Sequence, residues 1–196
     1  YWDILRKVFE PEGIKVNVNT STFMRSIGLL KKGDVHAMVG AYMGEVKGGL
    51  YSKSHFDYDE VSALHKKGVQ WQGERTLENK EVGWIRGYKI AEFLDVSVNA
   101  HEYYKREKMI QLLAKGKLDF VIEAAYDLRK ELEKGYVDAN DFELHKVKKI
   151  NMYVVFSDNE LGKELRDIFD RRFKSLLDNG EAKALFEKWD WPTFPD

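Results

Sequence analysis

The sequence predicts an α/β protein built of two similar lobes, and two observations lead to this prediction. Short apolar segments, typical of buried strands, alternate along the chain with amphipathic segments of about ten residues, which are typical of helices. A helix–glycine–strand pattern also occurs twice, over residues 29–39 and 112–122. Alternating strands and helices favour parallel sheets with helices on both faces, and the repeat favours two lobes of the same kind.

The composition narrows the classes of function. Lys and Arg together number 32 and Asp and Glu 33, so the chain lacks the basic excess of a nucleic-acid binder, and no nucleic-acid partner is expected. The absence of cysteine excludes a disulfide framework, a thiolate metal site and a cysteine nucleophile. A chain without thiols also suits an oxidising compartment.

Helices are predicted where apolar residues recur every three or four positions and where capping residues or glycines delimit them. The chain opens on such an apolar stripe, and we interpret this start as a boundary with a strand missing upstream. The predicted helices run from residue 1 to about Pro11, over 23–32, briefly up to Leu94, from a cap at Asn99 to Lys115, over 124–134, from a capping box at 157–160 to Asp178, and finally up to Trp189.

Strands are predicted where short apolar or alternating runs are bounded by turn residues. Residues 14–19 alternate apolar and polar side chains, and the other runs are continuously apolar, as in buried strands. The predicted strands cover residues 14–19, 35–39, 61–64, 82–85, 118–122 and 152–156, and residues 42–58 are expected to form a glycine-containing loop region.

The internal repeat aligns residues 29–39 with residues 112–122. In each copy a helix ends at a glycine, Gly33 or Gly116, a charged residue follows, and a buried strand comes next. Two copies favour two similar lobes, although any two helix–strand corners can share this pattern.

An ordered series of segments resembles a known family. The series comprises Asp3 in the opening helix, residues 29–37, Tyr51-Ser52, residues 77–83 leading to Arg86-Gly87-Tyr88, residues 112–119, and Gly180-Glu181 followed by residues 186–189. Nearly the whole chain resembles the family 3 extracytoplasmic solute-binding proteins, the polar amino acid-binding type of ABC transporter receptor.

The resemblance implies a type II periplasmic-binding-protein-like fold of two lobes, each a mostly parallel sheet flanked by helices, with a ligand cleft. Lobe 1 would comprise residues 1–64 and 152–196, without its first strand, and lobe 2 residues 65–151. Two hinge strands, near residues 61–64 and 152–156, would join the lobes. The family also implies a periplasmic or other extracytoplasmic location and a signal peptide in the precursor.

The turn Arg86-Gly87-Tyr88 is the first predicted ligand-binding segment. In the family this turn holds the ligand carboxylate with backbone N–H groups at a helix N-terminus. Gly87 would allow close approach of the backbone, and Arg86 would add a bidentate contact, unless it is an ordinary surface arginine. Tyr88 stands where the family often has Thr, and it would stack on a ligand or simply pack.

Three further residues complete the predicted site. Tyr42 would face the cleft after the first repeat. The family's carboxylate-binding arginine is not found between the strand of the first repeat and Tyr51. Lys47 is the possible substitute, and the missing arginine leaves an α-amino acid ligand in question. Glu123 would bind a ligand ammonium group, or it is a solvated strand end.

The predicted function is non-catalytic binding of a small polar solute, an amino acid or related compound, for ABC-type uptake or for sensing. The expected partners are this ligand and either a transporter permease or a membrane-tethered signalling module. No nucleophile elbow, phosphate loop or metal-binding histidine spacing is present, so no catalytic residue, metal or cofactor is predicted. The alternative is an enzyme, dehydratase-like, on the same scaffold.

Overall fold

The computed structural model describes residues 1–191, so the last five residues of the predicted lobe 1 lie outside the described residues. The chain divides into two compact units: unit 1 comprises Tyr1–Tyr58 and Asn151–Asp196, and unit 2 comprises Asp59–Ile150. The helices are α1 Trp2–Phe9, α2 Phe23–Lys32, α3 Arg106–Ala114, α4 Ala125–Leu132, α5 Glu160–Asp178 and α6 Glu181–Lys188. The strands are β1 Ala37–Tyr42, β2 Leu50–Tyr51, β3 Asp57–Lys66, β4 Glu81–Ile85, β5 Asn99–Tyr103, β6 Phe120–Ala124 and β7 Phe142–Phe156.

Unit 1 is organised around the end of β7. Both β1 and β2 pair antiparallel with this segment, and both align with Phe156, so they run in the same direction on either side of it. Phe156 packs against Phe9 of α1 and Phe169 of α5, and Phe169 stacks on Phe173 at 5.2 Å between ring centroids. These buried rings form the centre of the unit.

Unit 2 contains the parallel part of the fold. Strands β5, β4 and β6 pair in parallel, in that order, and β3 pairs antiparallel with β6. Helices α3 and α4 cover the sheet through a fully buried group of apolar side chains, among them Met109, Ile110, Leu113, Val121 and Leu128. No helix among residues 1–191 combines the length and apolar character needed to cross a membrane.

The repeat detected in the sequence has one geometry in both units. Gly33 after α2 and Gly116 after α3 adopt φ values of 77° and 67°. Two backbone hydrogen bonds close each corner. At the first corner, Gly33 N–H donates to the carbonyl of Leu30 and Asp34 N–H to that of Leu29. At the second corner, the N–H groups of Gly116 and Lys117 make the same two bonds. This is the Schellman arrangement, in which glycine relieves the steric penalty of a left-handed residue.

The strand predicted over residues 14–19 is wrong. The segment adopts no regular secondary structure, and from Asn17 onwards its side chains are exposed. An alternating pattern forms a strand only where a neighbouring strand accepts its backbone hydrogen bonds and a core covers its apolar face. Among the described residues no strand pairs with this segment.

The helix predicted to begin at Asn99 is also wrong in its first part. Residues 99–103 form β5, which pairs with β4 from Glu81↔Asn99 to Ile85↔Tyr103. The side chain of Asn99, predicted as a helix cap, donates instead to Glu81. Helix α3 therefore begins at Arg106.

Smaller differences concern element ends. The cap of α5 is Asn159, whose side chain accepts from Gly162 N–H, rather than Ser157. Strand β1 continues through Gly40 by means of a bulge, and the predicted loop over 42–58 contains β2. The strands predicted at 61–64 and 152–156 extend to Asp57–Lys66 and Phe142–Phe156.

Two helical glycines provide a matched test of local packing. A Cβ at Gly162 in α5 would overlap the carbonyl of Ser157, whereas a Cβ at Gly28 in α2 would meet nothing within 4 Å. We expect Gly162→Ala to lower the free energy of unfolding by about 1–3 kcal/mol through overpacking. Gly28→Ala should raise it by roughly 0.5–1 kcal/mol, because alanine loses less backbone entropy in a helix. Urea unfolding of both variants measures the two effects. A stabilised Gly162→Ala protein would contradict the overlap between a Cβ at this position and the carbonyl of Ser157.

Candidate functional site

The candidate site lies at one edge of the parallel strands in unit 2. Parallel strands end at the same edge of a sheet, and ligands of open α/β sheets bind beyond those carboxyl ends. The turn Arg86–Tyr88 follows β4, Arg106 follows β5, and Glu123 is the penultimate residue of β6. The topology therefore places residues from three separate chain segments at one edge.

Glu123 is buried and ion-paired. Its side chain is 2% exposed, and its Oε2 accepts a hydrogen bond from Arg106 Nε at 3.1 Å. The Arg106 guanidinium also donates a hydrogen bond to Asp127 Oδ2 at 2.7 Å. Asp127 lies in the first turn of α4. This arrangement excludes the interpretation of Glu123 as a solvated strand end.

Burial dominates the protonation of this cluster. Removal of Glu123 from water raises its pKa to about 7, and the negative charge of Asp127 adds to this, while Arg106 opposes both. Burial likewise raises the pKa of Tyr88, and the nearby Glu123 carboxylate contributes in the same direction. Glu123 is thus a carboxyl group that changes charge near neutral pH, and such groups concentrate at functional sites.

Sequence reasoning missed Arg106. A helix predicted to start at Asn99 makes position 106 an ordinary mid-helix arginine. In the structure it is the first residue of α3, and its side chain reaches both Glu123 and Asp127. The only available signal was the strand character of residues 99–103, which the apparent cap at Asn99 concealed.

The turn after β4 has a carboxylate of the protein against it. Gly87 adopts a φ of 93°, and its N–H points to Glu102 Oε1 at 3.5 Å. Arg86 is exposed, lies 3.9 Å from Glu102, and donates to the hydroxyl of Tyr104 while covering that ring. The expected helix after the turn is a single 3₁₀ turn, Ile90–Phe93, so it has no extended N-terminus to aim at a ligand.

The two remaining predicted residues belong to unit 1. Tyr42 is buried at the end of β1, and its N–H donates to Glu45 Oε2 at 2.8 Å. Lys47 is exposed and lines a surface pocket of about 460 Å³ together with Lys31 and Lys32. Arg86, Gly87, Tyr88 and Glu123, by contrast, all belong to unit 2.

Solved structures share this architecture. The substrate-binding protein of an amino acid ABC transporter matches with a TM-score of 0.74 and 18% identity, over 96% of this chain and 85% of that chain. The chain has a periplasmic-binding-protein-like fold. An ABC uptake transporter substrate-binding protein from Streptococcus pneumoniae with bound histidine matches at a TM-score of 0.70 and 20% identity, over 96% and 81% of the two chains.

A sensor protein shares the periplasmic-binding-protein-like fold as well. A histidine kinase sensor domain with similarity to periplasmic binding proteins has a TM-score of 0.79 at 15% identity, over 100% of this chain and 86% of that chain. The sequence itself matches no protein-family model and no curated protein. The likeness is therefore one of fold.

The raised pKa of Glu123 predicts a specific pH dependence. The folded protein holds the Glu123 proton up to about pH 7, whereas the unfolded chain releases it near pH 4.5. The folded state therefore binds more protons between these values, and Glu123 should lower stability progressively as pH rises through this window. Urea unfolding from pH 4 to 8 should show wild type losing stability relative to Glu123→Gln. A difference between the two proteins that is constant with pH would contradict the prediction.

Proposed function

We propose that this protein is an extracytoplasmic receptor for a small polar solute, an amino acid or related compound with an ammonium group. The observation that carries the proposal is the cluster of Glu123, Arg106 and Asp127 at the carboxyl ends of the parallel strands. Such edges are the usual ligand positions of α/β sheets.

The charges of the cluster favour a cationic group of the ligand. Glu123, Asp127 and Asp59 interact electrostatically, and the two aspartates both raise the pKa of Glu123. Arg106 pairs with both Glu123 and Asp127, so two acids share one guanidinium. A ligand ammonium would add a second positive charge beside these two acids, and in a partly buried site this attraction is screened less than in water.

The turn at Arg86 and Gly87 supports the opposite end of the ligand. The Gly87 N–H and the Arg86 guanidinium both lie beside a carboxylate, that of Glu102, so the turn already accommodates this chemical group. A ligand carboxylate would take the place of Glu102, whose side chain is 46% exposed. Tyr88 would contribute its ring to the same site.

Two residues of unit 1 stay proposed ligand contacts on the family resemblance alone. Tyr42 is buried at the end of β1, and Lys47 is exposed in the segment where the resemblance implies an arginine. Lysine acts as a point charge and not as a planar fork, so we expect a carboxylate to be held less specifically there.

Two physiological settings fit this receptor. Delivery of the solute to an ABC transporter is favoured by the likeness to transporter receptors, and sensing is favoured by the likeness to the kinase sensor domain. In both settings the ligand is bound and released without chemical change.

Mass spectrometry of a bound compound after prolonged incubation should recover it intact, and conversion to a product would favour the enzyme alternative.

A thermal-shift screen tests the receptor proposal. The panel holds amino acids, polyamines, small carboxylates and sugars at about 1 mM. A ligand with a Kd near 1 μM should add about 4 kcal/mol to stability at that concentration, which raises the Tm by several degrees. We expect hits among compounds with an ammonium group, and we expect Glu123→Gln to reduce their shifts. Hits confined to sugars or to carboxylates without an amine would contradict the proposed ligand class.

The control for this screen separates site effects from general electrostatics. Arg129 is an exposed arginine in the last turn of α4. Arg86→Ala should weaken hits that carry a carboxylate, while Arg129→Ala should leave them unchanged. Equal losses in both variants would indicate a non-specific effect of charge.

Removal of Glu102 should strengthen binding of carboxylate ligands. Its carboxylate lies against both Gly87 N–H and Arg86, so a ligand must displace it. We expect Glu102→Ala to lower the Kd of a carboxylate-containing hit several-fold in calorimetric titrations. Glu107→Ala, an exposed acid in the first turn of α3, is the matched control. A weaker affinity in Glu102→Ala would show that Glu102 itself contacts the ligand.

A further inference from the structure

Two histidines and a glutamate converge in unit 2 at a place distinct from the Glu123 cluster. His65 is near the end of β3, and Glu143 and His145 lie two residues apart on β7. The His65 ring packs against Phe120, the first residue of β6, whereas Glu123 stands near the other end of that strand. The ligand atoms of the three residues all lie within 4.8 Å of one another.

His65 has the hydrogen bonding of a metal ligand. It is fully buried, and its Nδ1 lies 2.8 Å from the carbonyl oxygen of Lys66. Because a carbonyl only accepts, Nδ1 carries a proton, which leaves Nε2 as the ring nitrogen that can present a lone pair to a metal. Nε2 is buried and has no hydrogen-bond partner among residues 1–191. Metal-bound histidines commonly show this arrangement, with the second ring nitrogen donating to a backbone carbonyl.

Glu143 and His145 lie close enough to His65 Nε2 to bind the same ion. Residues two apart on a strand share one face, and the Glu143 Oε2 is 3.8 Å from His145 Nε2. Their side chains are 43% and 37% exposed, so they can move inwards while buried His65 stays fixed. Ligands of a tetrahedral ion with bonds of about 2.1 Å stand roughly 3.4 Å apart, which is a modest approach from the present spacing.

We propose that His65, Glu143 and His145 bind a divalent transition-metal ion, with Zn²⁺ as the preferred ion. Two imidazoles and one carboxylate suit Zn²⁺, which such sets hold with a fourth position left for water or another ligand. No thiolate is available in this chain, and a purely oxygen-ligated ion such as Mg²⁺ would not use the histidines.

An aromatic stack beside the site supplies a direct readout. The ring of His145 lies parallel to that of His65 at 5.0 Å and to Trp71 at 5.2 Å between centroids. A ligating imidazole holds its metal in the plane of the ring, so both histidines share one ion only if His145 turns out of this parallel arrangement. Metal binding should therefore change the fluorescence of Trp71.

The experiment titrates ZnCl₂ into the chelator-treated full chain, with calorimetry and tryptophan fluorescence as readouts. We expect one equivalent of Zn²⁺ to bind with a fluorescence change. His145→Gln and Glu143→Gln should each weaken affinity at least about tenfold, since each removes one ligand. Both residues are partly exposed, so these variants keep the fold, which far-ultraviolet circular dichroism verifies. Trp71→Phe should abolish the fluorescence change and retain the calorimetric binding.

A second histidine–glutamate pair provides the control. His101 Nε2 donates a hydrogen bond to Glu81 Oε2 at the β4–β5 pair, so this pair is a second place where a surface ion could settle. His101→Gln should leave zinc affinity unchanged. Binding that survives in His145→Gln and disappears in His101→Gln, or the absence of one-equivalent binding in the wild type, would overturn the proposal.

Discussion

The buried ion pair between Glu123 and Arg106 is the constraint on which the candidate site depends. A carboxylate without a partner at the end of a buried strand would take up a proton rather than remain charged. Arg106, at the start of α3, offsets part of this penalty and also holds Asp127 at the start of α4. One guanidinium thus fixes the beginnings of two helices relative to the edge of the sheet, and it leaves an excess of acidic groups there.

The same sheet keeps two chemically different places apart. At the carboxyl end of β6, Glu123 and its partners form the proposed solute site, while at its amino end Phe120 packs against His65. A strand rises about 3.3 Å per residue, so these ends are separated by roughly 10 Å of rigid backbone. The solute proposal and the zinc proposal therefore depend on different residues, and variants of one leave the other intact.

Local features of the sequence anticipated much of the fold. The corners at Gly33 and Gly116 are set by hydrogen bonds that span only five residues, and a glycine with positive φ is nearly sufficient to specify them. The apolar runs at 82–85 and 118–122 indicated buried strands for the same reason, because their character does not depend on which strand lies beside them. Glu123 was recognised as a candidate from the family resemblance, which implies an acidic residue at or next to the end of this run.

By itself the sequence determined the amphipathic helices, the two glycine corners, the buried parallel strands and the α/β class, all of which follow from side chains close together in the chain. Only the tertiary structure decided that residues 14–19 form no strand and that residues 99–103 form one, because a strand needs a distant partner for its backbone. It also decided that Arg106 meets Glu123 and that His65 meets Glu143 and His145. These contacts join residues far apart in sequence. No local pattern encodes which distant side chain will pair with a buried charge or lie beside a buried lone pair.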